Sequence, residues 1–217
     1  MLYAILVVLS EGCSWRAIDS EKANWNSVYH YFRRWCANGI WAQVLDRCGG
    51  PALKSQRLFV DSTHVKVHKS GSNPAGGQEH QAMGRTKGGL NTKIHAAVDN
   101  RGNPAALLLS AGTEADVSCA PEILKEVNCE MLVGDKGFDS DPFREWLIAR
   151  GITPCIPPRS NRLNPQRYSK ASYRKRHLVE NFFEKLRRFR RIATRYDKLQ
   201  ETFFGFVCLA TAIIASR

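Results

Sequence analysis

Arg57-Leu58-Phe59-Val60-Asp61-Ser62-Thr63-His64-Val65-Lys66-Val67 is the stretch on which the fold turns. It is rich in Val and Phe and alternates along its length, the pattern of a β-strand, and it carries an acid, Asp61. Two further strands are predicted downstream, Thr92 to Asp99 and then Ala105 to Ser110 after the turn Asn100-Arg101-Gly102-Asn103-Pro104. Three strands in succession predict an antiparallel meander. Between the first two, Lys69 to Leu90 lacks apolar periodicity and predicts a long loop, of a length usually reserved for function or disorder.

Beyond the meander the pattern changes to a helix from about Asp116 to Val127, a short apolar strand Met131 to Gly134, a helix from about Pro142 to Arg150 and a strand Thr153 to Pro157. This βββαβαβ order predicts an α/β fold with strand four in the middle of a mixed sheet. A polar, Pro-containing loop, Pro157 to Ser172, leads to two closing helices, Tyr173 to Arg191 and Lys198 to Ala215. On the N-terminal side the break Gly49-Gly50-Pro51 separates the strands from a helical, aromatic-rich segment in which Trp25, Val28, Tyr29, Phe32, Trp35 and Cys36 recur at helical spacing. The predicted division is a small N-terminal helical region, residues 1–50, and a mixed-sheet domain, residues 55–217.

The chain has 217 residues, 43% hydrophobic and 24% charged, with a formal net charge of +12 and a pI near 9.6. Such a balance suits a polyanionic partner, nucleic acid before an anionic membrane surface. The charge is concentrated, since residues 159 to 198 hold fourteen Lys and Arg against three acids. The seven cysteines are scattered, without a C-x-x-C pair or a histidine at zinc-finger spacing, and read as reduced thiols. Met1 to Leu9 has neither the basic start nor the cleavage site of a signal peptide, and the apolar run Phe203 to Ala215 is too short to span a bilayer.

Three acids occupy special places on this map: Asp61 in the first strand, Asp135 directly after the fourth, and Glu180 on the basic helix. Acids at the ends of neighbouring strands converge, and Asp135 opens a turn in which Gly137 lets the backbone approach closely. At about 100° per residue, Tyr173, Arg176, Glu180, Glu184, Arg187 and Arg191 fall in one sector, with Leu178, Val179, Phe182, Leu186 and Phe189 opposite. Taken alone the helix admits a plainer reading, in which Glu180 pairs with Arg176 and Glu184 with Arg187, each pair worth about 0.2–0.5 kcal/mol. Glu184 reads as an ion-pair partner, and Asp99, Asp116 and Asp139 as turn or cap residues. Lys66, Lys69, Arg85, Lys87 and Lys93 read as a loop that attracts nucleic-acid phosphate, and the spacing of His64, His68, His80 and His95 fits no zinc motif.

The blocks Asp61-Ser62-Thr63-His64-Val65, Gly84 through His95, Gly134-Asp135-Lys136-Gly137-Phe138-Asp139-Ser140 and Tyr173 through Arg187 resemble the signature blocks of bacterial DDE transposases of the insertion-sequence-five family. Tyr173, Arg176 and Glu180 match that family's Y-(2)-R-(3)-E-(6)-K signature, and Arg187 stands where lysine is usual. Phe189 to Lys198 and the segments around Trp15-Arg16 and Trp25 to Trp35 are also similar, so the resemblance covers essentially the whole chain.

The resemblance implies a ribonuclease H-like mixed five-stranded sheet flanked by helices. In it Asp61, Asp135 and Glu180 are the catalytic acids and hold two divalent ions, Mg²⁺ with Mn²⁺ able to substitute. It implies metal-dependent cleavage and strand transfer on double-stranded DNA, at terminal inverted repeats and target, by a homo-oligomer on the bacterial nucleoid in the cytoplasm, without a membrane. Arg85, Lys87, Lys136, Tyr173, Arg176, Arg187 and Arg191 are the implied DNA contacts. Because Met1 falls inside what resembles a longer helix, the alternatives are a truncated, non-catalytic DNA-binding fragment that inhibits transposition, or a nuclease that cleaves without joining.

Overall fold

The structure, a computed structural model, describes residues 1–19, 21, 23–49 and 54–216. The expected break at Gly49-Gly50-Pro51 lies largely outside the described residues. Three helices come first, α1 (Leu2–Glu11), α2 (Trp25–Ala37) and α3 (Ile40–Gly49). Asn24 starts α2 by accepting from the backbone N–H groups of Asn26 at 3.0 Å and Ser27 at 3.2 Å, two of the donors a helix start leaves without partners.

The sheet follows as β1 (Lys54–Val67), β2 (Gly84–Thr86), β3 (Gly89–Val98) and β4 (Pro104–Ala111), then α4 (Asp116–Ile123), β5 (Asn128–Val133), α5 (Asp141–Ala149) and β6 (Thr153–Cys155). α6 (Lys170–Tyr173), α7 (His177–Arg187), α8 (Arg190–Ala193), β7 (Thr194–Arg195) and α9 (Gln200–Ala215) complete the described chain. Five main strands lie in the order β4-β3-β1-β5-β6, with β3 antiparallel to both its neighbours and β5 and β6 parallel to β1. This is the ribonuclease H-like mixed sheet that the resemblance implies. The short β2 and β7 extend it. The middle of the five is β1 and not, as expected, the fourth main strand, β5, which lies one place over, between β1 and β6.

Leu58, Phe59 and Val60 are all buried, which a strand achieves only when both faces of its sheet are covered. Phe59 and Val65 face a core built with α1, α2, α7 and α9, whereas Leu58 and Val60 face a second core with Ile123, Phe143 and Leu147 from α4 and α5. α9 explains its apolar sequence in this setting, because Phe203, Phe206, Val207 and Ala210 are wrapped by the sheet, α7 and the N-terminal helices. Burying each phenylalanine contributes about 1.5–3 kcal/mol. No described helix is long and apolar enough to cross a membrane.

Two other sequence expectations require correction. Residues 173–191 do not form one helix: a 3-10 turn, Arg174–Arg176, joins α6 to α7, and the chain leaves helical geometry at Phe189 (φ −81°, ψ 110°) before α8. The loop 69–90 is not wholly irregular, since Gly84 to Thr86 pairs with Gly89 to Asn91 as a tight hairpin. The loop is held down by Arg195, which is fully buried and donates to the carbonyl of Gln81 at 2.9 Å and to Thr92 Oγ1 at 2.6 Å.

Candidate active site

The register of the parallel pair β1 and β5 sets Phe59 opposite Val133. Two residues further along each chain stand Asp61 and Asp135, on the face that side chains of equal parity share. The two carboxylates sense each other: the charge of Asp135 is one of the influences that raise the pKa of Asp61 above its ordinary value. The largest is burial; the Arg176 guanidinium and the Ser62 N–H, which donates to Asp61 Oδ1 at 2.9 Å, oppose it without cancelling it. Asp135 is fixed differently, its Oδ1 accepting the Gly137 N–H at 2.7 Å. A side chain at residue 137 would begin 2.8 Å from that same oxygen, so the glycine is what permits the turn to close on the carboxylate.

Glu180 comes to the site on α7. Val179, Phe182, Phe183 and Leu186 are buried against the sheet, which turns the opposite side of the helix outward. Arg176 joins the two elements, its Nη1 donating to Asp61 Oδ2 at 2.8 Å and its Nη2 to Glu180 Oε1 at 2.9 Å. At the other end of α7, Arg187 donates to Glu184 Oε1 at 3.0 Å and to Thr63 Oγ1. The helix is therefore clamped to β1 at two points. Both ion pairs expected on the helix exist, and the Arg176 pair also reaches the strand acid, which helical spacing alone does not show.

The donor set is all oxygen, the chemistry that hard divalent cations prefer. Among the described residues no three His, Cys, Asp or Glu side chains are gathered closely enough to form a metal cluster. Instead a guanidinium stands between Asp61 and Glu180. The mutual repulsion of the acids calls for a cation, and here Arg176 supplies it.

The remaining expected contacts divide. Arg85 and Lys87 are exposed on the β2–β3 hairpin, and Lys136 is exposed beside Asp135. Tyr173 is half-buried and lies edge-on to Tyr168, with ring centroids 5.6 Å apart. Arg191 is a correction: it is buried, and it donates to both carboxylate oxygens of Asp197 at 2.9 and 3.0 Å and to the Cys13 carbonyl at 3.2 Å. The break at Phe189 resets the helical phase and turns Arg191 inward, away from the face shared by Glu180 and Arg187. Lys93 is a second correction, buried with its Nζ 2.9 Å from Asp116 Oδ1.

Asp116 is more than a helix-end residue. It accepts from Ser62 Oγ at 2.8 Å as well as from Lys93, and lies 3.9 Å from His95 Nδ1, so a polar cluster backs the strand that carries Asp61. Hydrogen bonds from Lys93 and Ser62 hold the Asp116 carboxyl below its ordinary range although burial pulls the other way. Asp139 is likewise a hub, buried and bonded to Arg144 at 2.8 Å, the Arg159 N–H at 2.8 Å and Arg162 at 2.9 Å. It anchors the 157–172 loop beside the Asp135 turn. Strand alternation could have shown that Lys93 and His95 share a face, but not that the face is covered.

A family profile described as a transposase DDE domain matches residues 52–214, and one described as a putative transposase of the IS4/5 family matches residues 1–45. The putative transposase for insertion sequence element IS6501 of Brucella ovis is 34% identical over 135 residues, 59% of this chain and 100% of that protein. The putative transposase for insertion sequence element IS402 of Burkholderia cepacia is 25% identical over 175 residues, 75% of this chain and 76% of that protein. Among solved structures, the piggyBac transposase synaptic complex with hairpin DNA aligns with 58% of this chain and 28% of its own at 18% identity and a TM-score of 0.39, too low to add to the fold argument.

Proposed function

We propose, from the premise that this chain belongs to the transposase DDE-domain family and is an insertion-sequence transposase, that it cuts and joins DNA at a centre made by Asp61, Asp135 and Glu180. What supports the reading is the bridge that Arg176 makes between Asp61 of β1 and Glu180 of α7, with Asp135 at the end of the neighbouring strand β5 close enough to Asp61 for their charges to interact. The three carboxylates would hold two divalent ions, Mg²⁺ or Mn²⁺. When bound, such ions supply Lewis-acid activation of water, and later of a DNA 3′-hydroxyl, for in-line displacement at phosphorus.

The chain's own residues do the rest. Burial raises the pKa of Asp61 above its ordinary value against the pull of Arg176 and the Ser62 N–H, a setting in which a cation beside the carboxylate is favourable. Gly137 holds Asp135 in place through its N–H, and the apolar side of α7 sets Glu180 over the sheet. Arg176 neutralises the acids and offers a fork-shaped donor set suited to phosphate. Exposed Arg85, Lys87 and Lys136, with Arg187 and Tyr173 from the signature, contact the DNA backbone. In this reading residues 1–50 form the helical region that meets the element ends and residues 55–217 the catalytic domain, and a homo-oligomer brings two ends together.

The test is incubation of the purified chain with DNA carrying the terminal repeats that flank its gene, in Mg²⁺ or Mn²⁺. Nicked ends and strand-transfer products are expected, both abolished by Asp135→Asn. Hydrolysed ends without joined product would replace the reading by that of a nuclease. Activity persisting in Asp135→Asn would overturn the site.

A further inference from the structure

The pairing of β1 with β5 ends at Phe59, and the next parallel partner of β1 is Thr194 of β7, opposite Lys66. Asp61, Ser62 and Thr63 lie between these points, where among the described residues only β3 is registered beside the strand. A strand paired on one side has half of its ladder hydrogen bonds, so other contacts must fix this stretch. Side chains do so on both faces. On the α7 face Arg187 donates to Thr63 Oγ1. On the other face Ser62 Oγ donates to Asp116 Oδ1 at 2.8 Å, while the backbone N–H of the same serine donates to Asp61 Oδ1 at 2.9 Å. Ser62 thereby links the carboxylate of Asp61 to the first residue of α4.

Asp116 is itself held in place. Lys93 Nζ donates to its Oδ1 at 2.9 Å and to the Glu114 carbonyl at 2.6 Å, so one ammonium fixes both the carboxylate and the backbone that leads into α4. Lys93 is buried on a face of the sheet that is otherwise apolar, at Leu58, Val60, Ala97 and Leu132. An ion pair is a poor way to stabilise such a face, because taking two charges out of water offsets most of their attraction. What the pair does supply is one defined position for a carboxylate oxygen. We propose that Asp116, set by Lys93, is a positioning residue that acts through Ser62 to hold the Asp61 carboxylate in the geometry that takes up a divalent ion; the inference rests on the reading of Asp61 as part of the cation-holding centre. Groups that orient a ligating side chain govern metal affinity without touching the metal, and losing one costs roughly ten- to a hundredfold.

The experiment is a Mn²⁺ titration of the full chain with DNA, followed by electron paramagnetic resonance, for Ser62→Ala, Asp116→Ala and the two combined. Each single variant should weaken Mn²⁺ binding by roughly ten- to a hundredfold. The combined variant should be no weaker than the weaker single one, because both changes break the same link. Ser62→Thr, which keeps a hydroxyl on the strand, should restore the wild-type affinity. Ser110→Ala cuts the bond to His95 without touching Ser62, so it should lower stability in urea and leave Mn²⁺ affinity unchanged. Ser62 is only half-buried, so Ser62→Ala and its threonine rescue decide the matter even where Asp116→Ala fails to fold. Unchanged affinity in Ser62→Ala, or losses that add in the combined variant, would overturn the inference, while loss of Mn²⁺ in Asp135→Asn left the centre standing. Mn²⁺ binding indifferent to Asp135→Asn would overturn both.

Discussion

His95 offers the sharpest quantitative prediction, because it is buried on the strand beside the one that carries Asp61 and has little access to water. Its pKa is lowered from the ordinary 6.5 to about 4, first by burial and then by Lys93 and His64, against the opposing pull of Asp116 and Glu114. The folded chain holds it neutral, with Nε2 2.8 Å from Ser110 Oγ. An unfolded chain takes up the proton near pH 6.5, so the stability linked to this group is full above that value and is lost as pH falls toward about 4. A separation of roughly 2.5 units at 1.36 kcal/mol each amounts to about 3 kcal/mol, most of it gone by a pH near 4.5. Urea unfolding of the wild type and of His95→Gln, whose amide can keep the bond to Ser110, isolates this group from the other acids that titrate. From pH 7 to pH 4.5 the wild type should lose about 2–3 kcal/mol more than the variant. Parallel losses would refute the claim that burial holds His95 neutral.

Further outcomes follow from the same contacts. Arg191→Leu should destabilise the fold by about 3–5 kcal/mol in urea, since it leaves Asp197 buried without its partner, and it should leave the salt dependence of DNA binding unaltered. Arg85→Ala combined with Lys87→Ala should flatten the slope of log affinity against log salt by about 2, measured by fluorescence anisotropy; an unchanged slope would remove the hairpin from the DNA interface. Gly137→Ala should cut metal-dependent nicking by roughly tenfold or more by moving Asp135, with a melting temperature close to wild type, because the added carbon meets the carboxylate oxygen at 2.8 Å.

What was legible in the sequence was whatever depends on local pattern. β1 declared itself by its Val and Phe content, the meander by its turn at residues 100–104, and the strand-end position of Asp135 by the glycine two residues on. The helical wheel found α7's buried side but assumed an unbroken helix, and the extended backbone at Phe189 undid its placement of Arg191. Lys93 and His95 were beyond reach for another reason. Alternation assigns residues to faces, and only the packing of α4 against the second face made Lys93, His95 and Asp116 a buried cluster instead of a solvated edge. Arg176 was visible as a helical partner of Glu180, while its bond to Asp61, 115 residues away in sequence, belongs to the tertiary fold.

The central claim is that Asp61, Asp135 and Glu180 act together as one cation-holding centre. The most direct measurement is Mn²⁺ binding followed by electron paramagnetic resonance on the full chain with DNA, for the wild type and for the combined variant Asp61→Asn, Asp135→Asn, Glu180→Gln. The account predicts two tightly held Mn²⁺ per chain in the wild type and loss of both in the variant at the same fold stability. Identical Mn²⁺ binding by the two proteins would contradict it.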